Sequence, residues 1–185
     1  MEEIMEGNRL NRVFFVTGAE STGKSTLTGE LSEYFGGEGI PEYARTYLGQ
    51  LNHHYDYSDV EKIARHQIGL IRSRADSPLV FFDTCLINLK VWFREVYHTV
   101  PEWLEREIPD AGRGVYLVCQ PDLPWESDPL RENPHRREYL SGQYEMELQA
   151  AGFPYFRVFG SGRDRLQCAI EIVNRFVKPE YGQDK

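Results

Sequence analysis

The chain has 185 residues, 41% of them hydrophobic, and its 21 basic against 29 acidic side chains leave a formal charge of −8. That length fits one α/β domain with its own core and is short for two, while an acidic field repels a polyanion and excludes nucleic acid as the expected partner. No apolar run approaches the ~20 residues of a membrane helix, and the beginning, with Glu2, Glu3 and Glu6, lacks the apolar region of a signal peptide. Cys85, Cys119 and Cys168 stand far apart without metal-ligand spacing, so the expectation is a cytoplasmic protein with reduced, mostly buried thiols.

Residues 1–11 read as a polar lead-in to a domain over 12–178. The apolar run Val13 to Thr17 predicts a strand, and the run from Ser25 to Phe35 predicts a helix. Between them stands Gly18-Ala19-Glu20-Ser21-Thr22-Gly23-Lys24-Ser25, the G-x-x-x-x-G-K-[ST] pattern of a phosphate-binding P-loop in its strand-loop-helix setting. Successive backbone N–H groups must turn inward around phosphate oxygens, and side chains at Gly18 and Gly23 would obstruct that wrap. Lys24 can reach the β- and γ-phosphates, the Ser25 hydroxyl can ligate Mg²⁺, and the helix behind them points its positive end at the same anion. The expected ligand is ATP with Mg²⁺, held by Gly18, Glu20, Ser21, Thr22, Gly23, Lys24, Ser25 and Thr26.

Gly36-Gly37-Glu38-Gly39 stops the helix, and Ile40 begins a short strand ending in Pro41-Glu42-Tyr43-Ala44-Arg45. Ligands of open parallel α/β sheets bind at the carboxyl ends of strands, which places Glu42, Tyr43 and Arg45 at the crevice of the P-loop. Leu51 to Tyr57, with His53 and His54, reads as a loop without the further ligands a metal site needs. Ser58 to Asp76 reads as a core-facing helix opened by a Ser58/Glu61 capping box.

Pro78 to Thr84 reads as a buried strand ending in Asp83, an acid placed to meet Mg²⁺ or the attacking hydroxyl; Asp83 or Thr84 can also cap the helix expected over Leu86 to Thr99. Trp92 follows on that helix, at the edge of an acceptor pocket. A short helix over Pro101 to Ile108 and a strand over Gly114 to Cys119 come next. They lead into an irregular, proline-rich stretch of about 120–137, read as a lid carrying Trp125, Arg131, Arg136 and Arg137. Guanidinium groups there can stabilise charge spreading over a transferring phosphoryl group. After a helix to Ala150, Phe153 to Phe159 gives a last strand, Gly160 and Gly162 form a turn able to lie against an adenine, and a final helix precedes a polar tail over 179–185.

Four motifs taken together, the P-loop through Leu27, Pro41 to Arg45, Phe82-Asp83-Thr84 with Lys90-Val91-Trp92, and Pro121 to Trp125 with Leu130-Arg131-Glu132, carry a family resemblance. The sequence resembles the ribosylnicotinamide kinase domain of NadR-type proteins and the wider P-loop kinases and AAA_28-like ATPases around it, over nearly the whole chain. The resemblance implies a doubly wound five-stranded parallel sheet with helices on both faces. It also implies transfer of the ATP γ-phosphoryl to the 5′-hydroxyl of nicotinamide riboside, giving nicotinamide mononucleotide in NAD salvage. Asp83 or Glu42 would be the carboxylate for the attacking hydroxyl, and Trp92, Trp125 or Tyr43 the face for a flat cationic base. Cys85 stands where the family commonly has a second Asp. The rest of NadR, its adenylyltransferase and DNA-binding parts, has no counterpart in these residues, so a separate kinase module is expected. The alternatives are another nucleoside or nucleotide as acceptor, and a regulatory ATPase acting on a protein partner.

Overall fold

The protein is described by a computed structural model over residues 12–177, so the expected lead-in over 1–11 and tail over 179–185 lie outside the described residues. Strands β1 (Val13–Gly18), β2 (Glu38–Ile40), β3 (Val80–Asp83), β4 (Val115–Cys119) and β5 (Tyr155–Val158) form one parallel sheet in the order β2-β3-β1-β4-β5. β1, β3 and β4 are buried along their whole length. Their near-continuous Val, Phe, Tyr and Leu content is what a sheet covered on both faces requires.

Alternation sends neighbouring aromatics to opposite faces. Phe14 stacks on Phe81 and Phe15 on Phe82, each pair at 5.3 Å between ring centroids, and Phe15 also stacks on Tyr116 at 4.8 Å. These are register partners across β1, β3 and β4, so a one-residue slip would separate every pair. Helices α1 (Lys24–Phe35) and α7 (Gly162–Val173) cover the Phe14 and Phe81 face. The Phe15 and Phe82 face is covered by α2 (Tyr43–Gly49), α3 (Tyr57–Ser73), α4 (Leu86–Tyr97), α5 (Glu102–Ala111) and α6 (Arg137–Ala150).

The connection leaving β1 runs to the sheet edge at β2, while that leaving β3 crosses β1 to β4. The two connections run in opposite directions and leave to opposite faces of the sheet, which opens a crevice between the carboxyl ends of β1 and β3. Gly18 and Asp83 end the two strands.

Several local expectations change. Ile40 ends β2 instead of beginning it, and Tyr43 to Gly49 is a helix where the sequence suggests the end of a strand. The α3 cap is Asp56, whose side chain accepts the Asp59 N–H at 3.1 Å while Asp59 accepts the Asp56 N–H at 3.1 Å. The reciprocal box therefore sits two residues before Ser58, and α3 ends at Ser73. Neither Asp83 nor Thr84 caps α4; Cys85 occupies the cap position without a side-chain bond. Pro101 is the cap of α5, which continues through Pro109. All three cysteines are free, with Cys85 and Cys119 buried and Cys168 partly exposed. Among the described residues no helix is long and apolar enough to cross a membrane.

Candidate active site

The loop after β1 has the backbone its glycines imply. Gly18 adopts φ 139° and packs so closely on β4 that a Cβ would lie 2.6 Å from the Cys119 carbonyl oxygen. Gly23 is left-handed at φ 75° and caps α1, while Ser21 is left-handed at φ 57° without being glycine. Alternating handedness of this kind makes a concave nest of N–H groups. Within the loop, Thr22 Oγ1 and Lys24 Nζ both donate to the Ala19 carbonyl, at 2.8 and 2.9 Å.

Two carboxylates share the floor. Asp83 is 2% exposed, and burial pushes its carboxyl up, against the lowering pull of Lys24 and of a hydrogen bond with Ser25. Glu42, at the cap of α2, is likewise pushed up by burial, with Lys24 opposing and the Asp83 charge adding to the rise. The two acids therefore interact, and neither takes its ordinary carboxylate range. Thr84, next to Asp83, has φ 76°, a strained conformation for a β-branched residue of the sort retained at functional sites. Ser25 beside Asp83 supplies two hard oxygen donors that suit Mg²⁺ shared with a polyphosphate. Among the described residues no group of three or more His, Cys, Asp or Glu could hold a metal by itself.

A cleft of about 530 Å³ is lined by the phosphate loop, by Glu42 and Thr84, and by Leu48, Leu51, Tyr55, Trp92 and Val96. Tyr55 meets Trp92 edge-on at 5.1 Å. The Tyr55 hydroxyl donates to Glu132 at 3.0 Å, and burial pushes its ionisation up to about 12, so it remains a donor. The cleft is thus lined by a phosphate loop, a carboxylate and an aromatic pair.

Residues 120–136 contain neither helix nor strand and roof this cleft. Glu20 of the P-loop accepts the backbone N–H groups of Glu132 and Asn133, at 3.1 and 2.8 Å. Ser21 Oγ accepts the Glu126 N–H at 2.9 Å and a longer bond from Arg131 at 3.4 Å. Arg45 of α2 pairs with Asp128. The roof is therefore pinned both to the P-loop and to α2.

The expected site residues separate into two groups. Gly18, Glu20, Ser21, Thr22, Gly23, Lys24, Ser25, Thr26, Glu42, Arg45, Trp92, Arg131 and Arg136 line the cleft, with Asp83 beneath them. The others lie outside its lining. Tyr43 stacks on His66 at 3.6 Å, and Trp125 lies 6.0 Å from the Arg137 guanidinium. Arg137 donates to the carbonyls of Leu123 and Ser21, at 2.8 and 3.2 Å, thereby supporting the loop from outside. The Gly160 N–H donates to Asp122 at 2.8 Å, and Gly162 opens α7. Arg136 lines the cleft while paired with Glu95. Cys85 faces the interior, its thiol donating to Asn88 Oδ1 at 2.9 Å.

Tyr55, Glu132 and Arg165 were not singled out from sequence. Tyr55 lies in a stretch that reads as loop, and Glu132 carries no signal beyond its place in a motif. For Arg165 the one available signal is a cation in the first turn of a helix, where the dipole disfavours it without special partners.

Comparison with known proteins agrees with this geometry. The sequence profile of the AAA domain family matches residues 13–165. The chain is 25% identical over 177 residues to the trifunctional NAD biosynthesis/regulator protein NadR of Escherichia coli (strain K12), covering 90% of this chain and 43% of that protein. It is 26% identical over 126 residues to NadR of Salmonella typhimurium, covering 65% and 31%. The chain thus spans less than half the length of these curated relatives. A crystal structure of NadR protein in complex with NR superposes with a TM-score of 0.76 at 20% identity, over 97% of this chain and 55% of that one. YorR protein from Bacillus subtilis, in complex with phosphorylated GDP, superposes with a TM-score of 0.54 at 17% identity, over 86% and 93%. These superpositions establish the common fold. With its phosphate loop, its sheet order and a profile match over residues 13–165, the chain belongs to the AAA domain family, as a P-loop nucleotide-binding protein distantly related to NadR.

Proposed function

We propose that this protein is an ATP-dependent kinase for the 5′-hydroxyl of a nucleoside, with nicotinamide riboside as the first acceptor to test. The observation that carries the reading is that one cleft is lined by the P-loop, Glu42 and the Tyr55 and Trp92 rings with Glu132. An acceptor lying with its base against those rings would present its sugar hydroxyl toward Glu42 and the γ-phosphate. A flat cationic base gains from both the aromatic faces and the Glu132 charge.

In this reading Glu42 is the general base and Asp83 a partner of Ser25. Glu42 borders the cleft directly, whereas Asp83 lies below it. A raised carboxyl ionisation brings Glu42 toward the pH at which it works, which favours proton transfer in the transition state. The hydroxyl proton passes to Glu42, the nucleoside oxygen bonds to the γ-phosphorus, and the bond to the β-phosphate oxygen breaks to release ADP. Lys24, Arg131 and Arg136 stabilise the spreading charge. Ser25 and Asp83 would hold Mg²⁺, whose chemistry when bound is to neutralise the phosphate oxygens.

The test is an acceptor screen with ATP and Mg²⁺. Nicotinamide riboside is set beside uridine, cytidine, thymidine and nucleoside monophosphates, and ADP release is measured. Release that depends on one nucleoside supports the kinase and names its acceptor. Release at the same rate with every acceptor or none refutes it in favour of an ATPase acting on a partner.

A further inference from the structure

Arg165 is 4% exposed, and its guanidinium is spent on the protein itself. Nε donates to the Gly160 carbonyl at 2.8 Å, Nη1 to the Thr22 carbonyl, and Nη2 to the Gln120 carbonyl at 3.0 Å and to Asp122 Oδ2 at 3.5 Å. One side chain from α7 therefore joins the phosphate loop, the exit of β4 where the lid begins, and the turn after β5. A cation at this point opposes the dipole of its own helix. Ordering so many acceptors around one buried guanidinium is therefore a specific device and not a surface ion pair.

The bond to Thr22 has a directional consequence. The peptide between Thr22 and Gly23 is trans, and in a planar trans peptide the C=O and N–H point in opposite directions. A carbonyl held outward by Arg165 directs the Gly23 N–H inward, to the side where a phosphate is cradled. Arg137 acts in the same way one peptide earlier, donating to the Ser21 carbonyl at 3.2 Å and so turning the Thr22 N–H.

We propose that Arg165 is a positioning residue of the nucleotide site. It holds the Thr22–Gly23 peptide in the orientation that presents its N–H to the β-phosphate, and it ties that orientation to the base of the lid through Gln120 and Asp122. Without it the peptide is free to rotate, and nucleotide binding must order it at the expense of affinity. The inference rests on nucleotide binding by the P-loop and is independent of which acceptor is phosphorylated.

The experiment compares wild type, Arg165→Gln and Arg165→Lys by ADP titration calorimetry and by thermal unfolding without ligand. ADP binding uses no acceptor, so its outcome is separate from that of the acceptor screen. The expected result is ADP affinity about tenfold to a hundredfold weaker in Arg165→Gln, with Arg165→Lys intermediate because an ammonium can reach Thr22 but not every partner at once. Variants that unfold at lower temperature yet bind ADP as tightly as wild type would overturn the proposal. If neither variant folds, a crystal structure of the wild type with ADP decides. Arg165 on the Thr22 carbonyl with the Gly23 N–H on a phosphate oxygen supports the proposal, and a reversed peptide released from Arg165 refutes it.

Discussion

The carboxylate of Glu20 accepts the backbone N–H of Asn133 at 2.8 Å, so the phosphate loop itself holds the lid. Glu20 occupies one of the variable positions of the P-loop pattern, where the signature prescribes no residue type. Its negative charge beside a polyphosphate site is offset by turning outward to two lid amides. Loop and roof thereby share a hydrogen-bond system, and a change at either is transmitted to the other.

Glu20→Ala removes that latch. The Glu132 and Asn133 amides should exchange with solvent deuterium about tenfold faster, since a hydrogen bond to a charged acceptor stabilises by about 1.5–3 kcal/mol and this one is partly exposed. Amide exchange read by NMR checks it. Unchanged protection at both amides would mean that the Arg45 and Tyr55 contacts suffice to hold the lid.

Lys24→Ala removes the ammonium from the phosphate loop. With Lys24 in its proposed role on the transferring phosphoryl group, turnover should fall by about two orders of magnitude or more. A steady-state assay with the acceptor identified by the screen measures it. Retained turnover would contradict the role given to the loop.

Glu42→Gln should uncouple activity from stability. Burial raises the Glu42 ionisation above its ordinary value of 4.5, so the folded state holds the proton more tightly than the unfolded chain. The associated stability is fully present below that ordinary value and is lost as pH rises through the raised one. Glutamine has no charge to desolvate, so the variant should melt a few degrees higher than wild type at pH 8, with the advantage vanishing near pH 4. Wild-type kcat should rise with pH through the same raised ionisation, and the variant should lose that limb along with most activity. Calorimetric scans across pH, paired with pH-rate profiles, test both halves.

Arg136 and Arg137, adjacent in sequence, should give opposite kinetic signatures. Arg136 borders the cleft, whereas Arg137 supports the loop through the Ser21 and Leu123 carbonyls. Arg136→Ala should lower kcat by about a hundredfold with little change in the KM for ATP, and Arg137→Ala should act mainly on that KM. Identical losses in the two variants would show that their different placements have no catalytic meaning.

The parts of the site read most directly from sequence were those fixed by local rules. Gly18 and Gly23 are required by close approach and left-handed backbone, and Asp83 ends a buried apolar run. The α3 cap was misplaced because Asp56 and Ser58 both satisfy the chemistry and only the path of the chain chooses between them. α2 escapes the sequence because Pro41 to Arg45 reads as the end of a strand, whereas in the fold Ala44 packs into the core within a helix of seven residues. Arg137 and Arg165 were the hardest to read. Their roles depend on carbonyls more than 100 residues away in sequence, and a guanidinium facing a backbone leaves no pattern in the chain.

In the proposed reaction the cleft brings ATP and a nucleoside hydroxyl together. Following the γ-phosphate of labelled ATP through one turnover with nicotinamide riboside tests it most directly. The expected result is the label in a mononucleotide, one per ADP formed. Label appearing solely as inorganic phosphate, at the same rate with each nucleoside offered or with none, would contradict it.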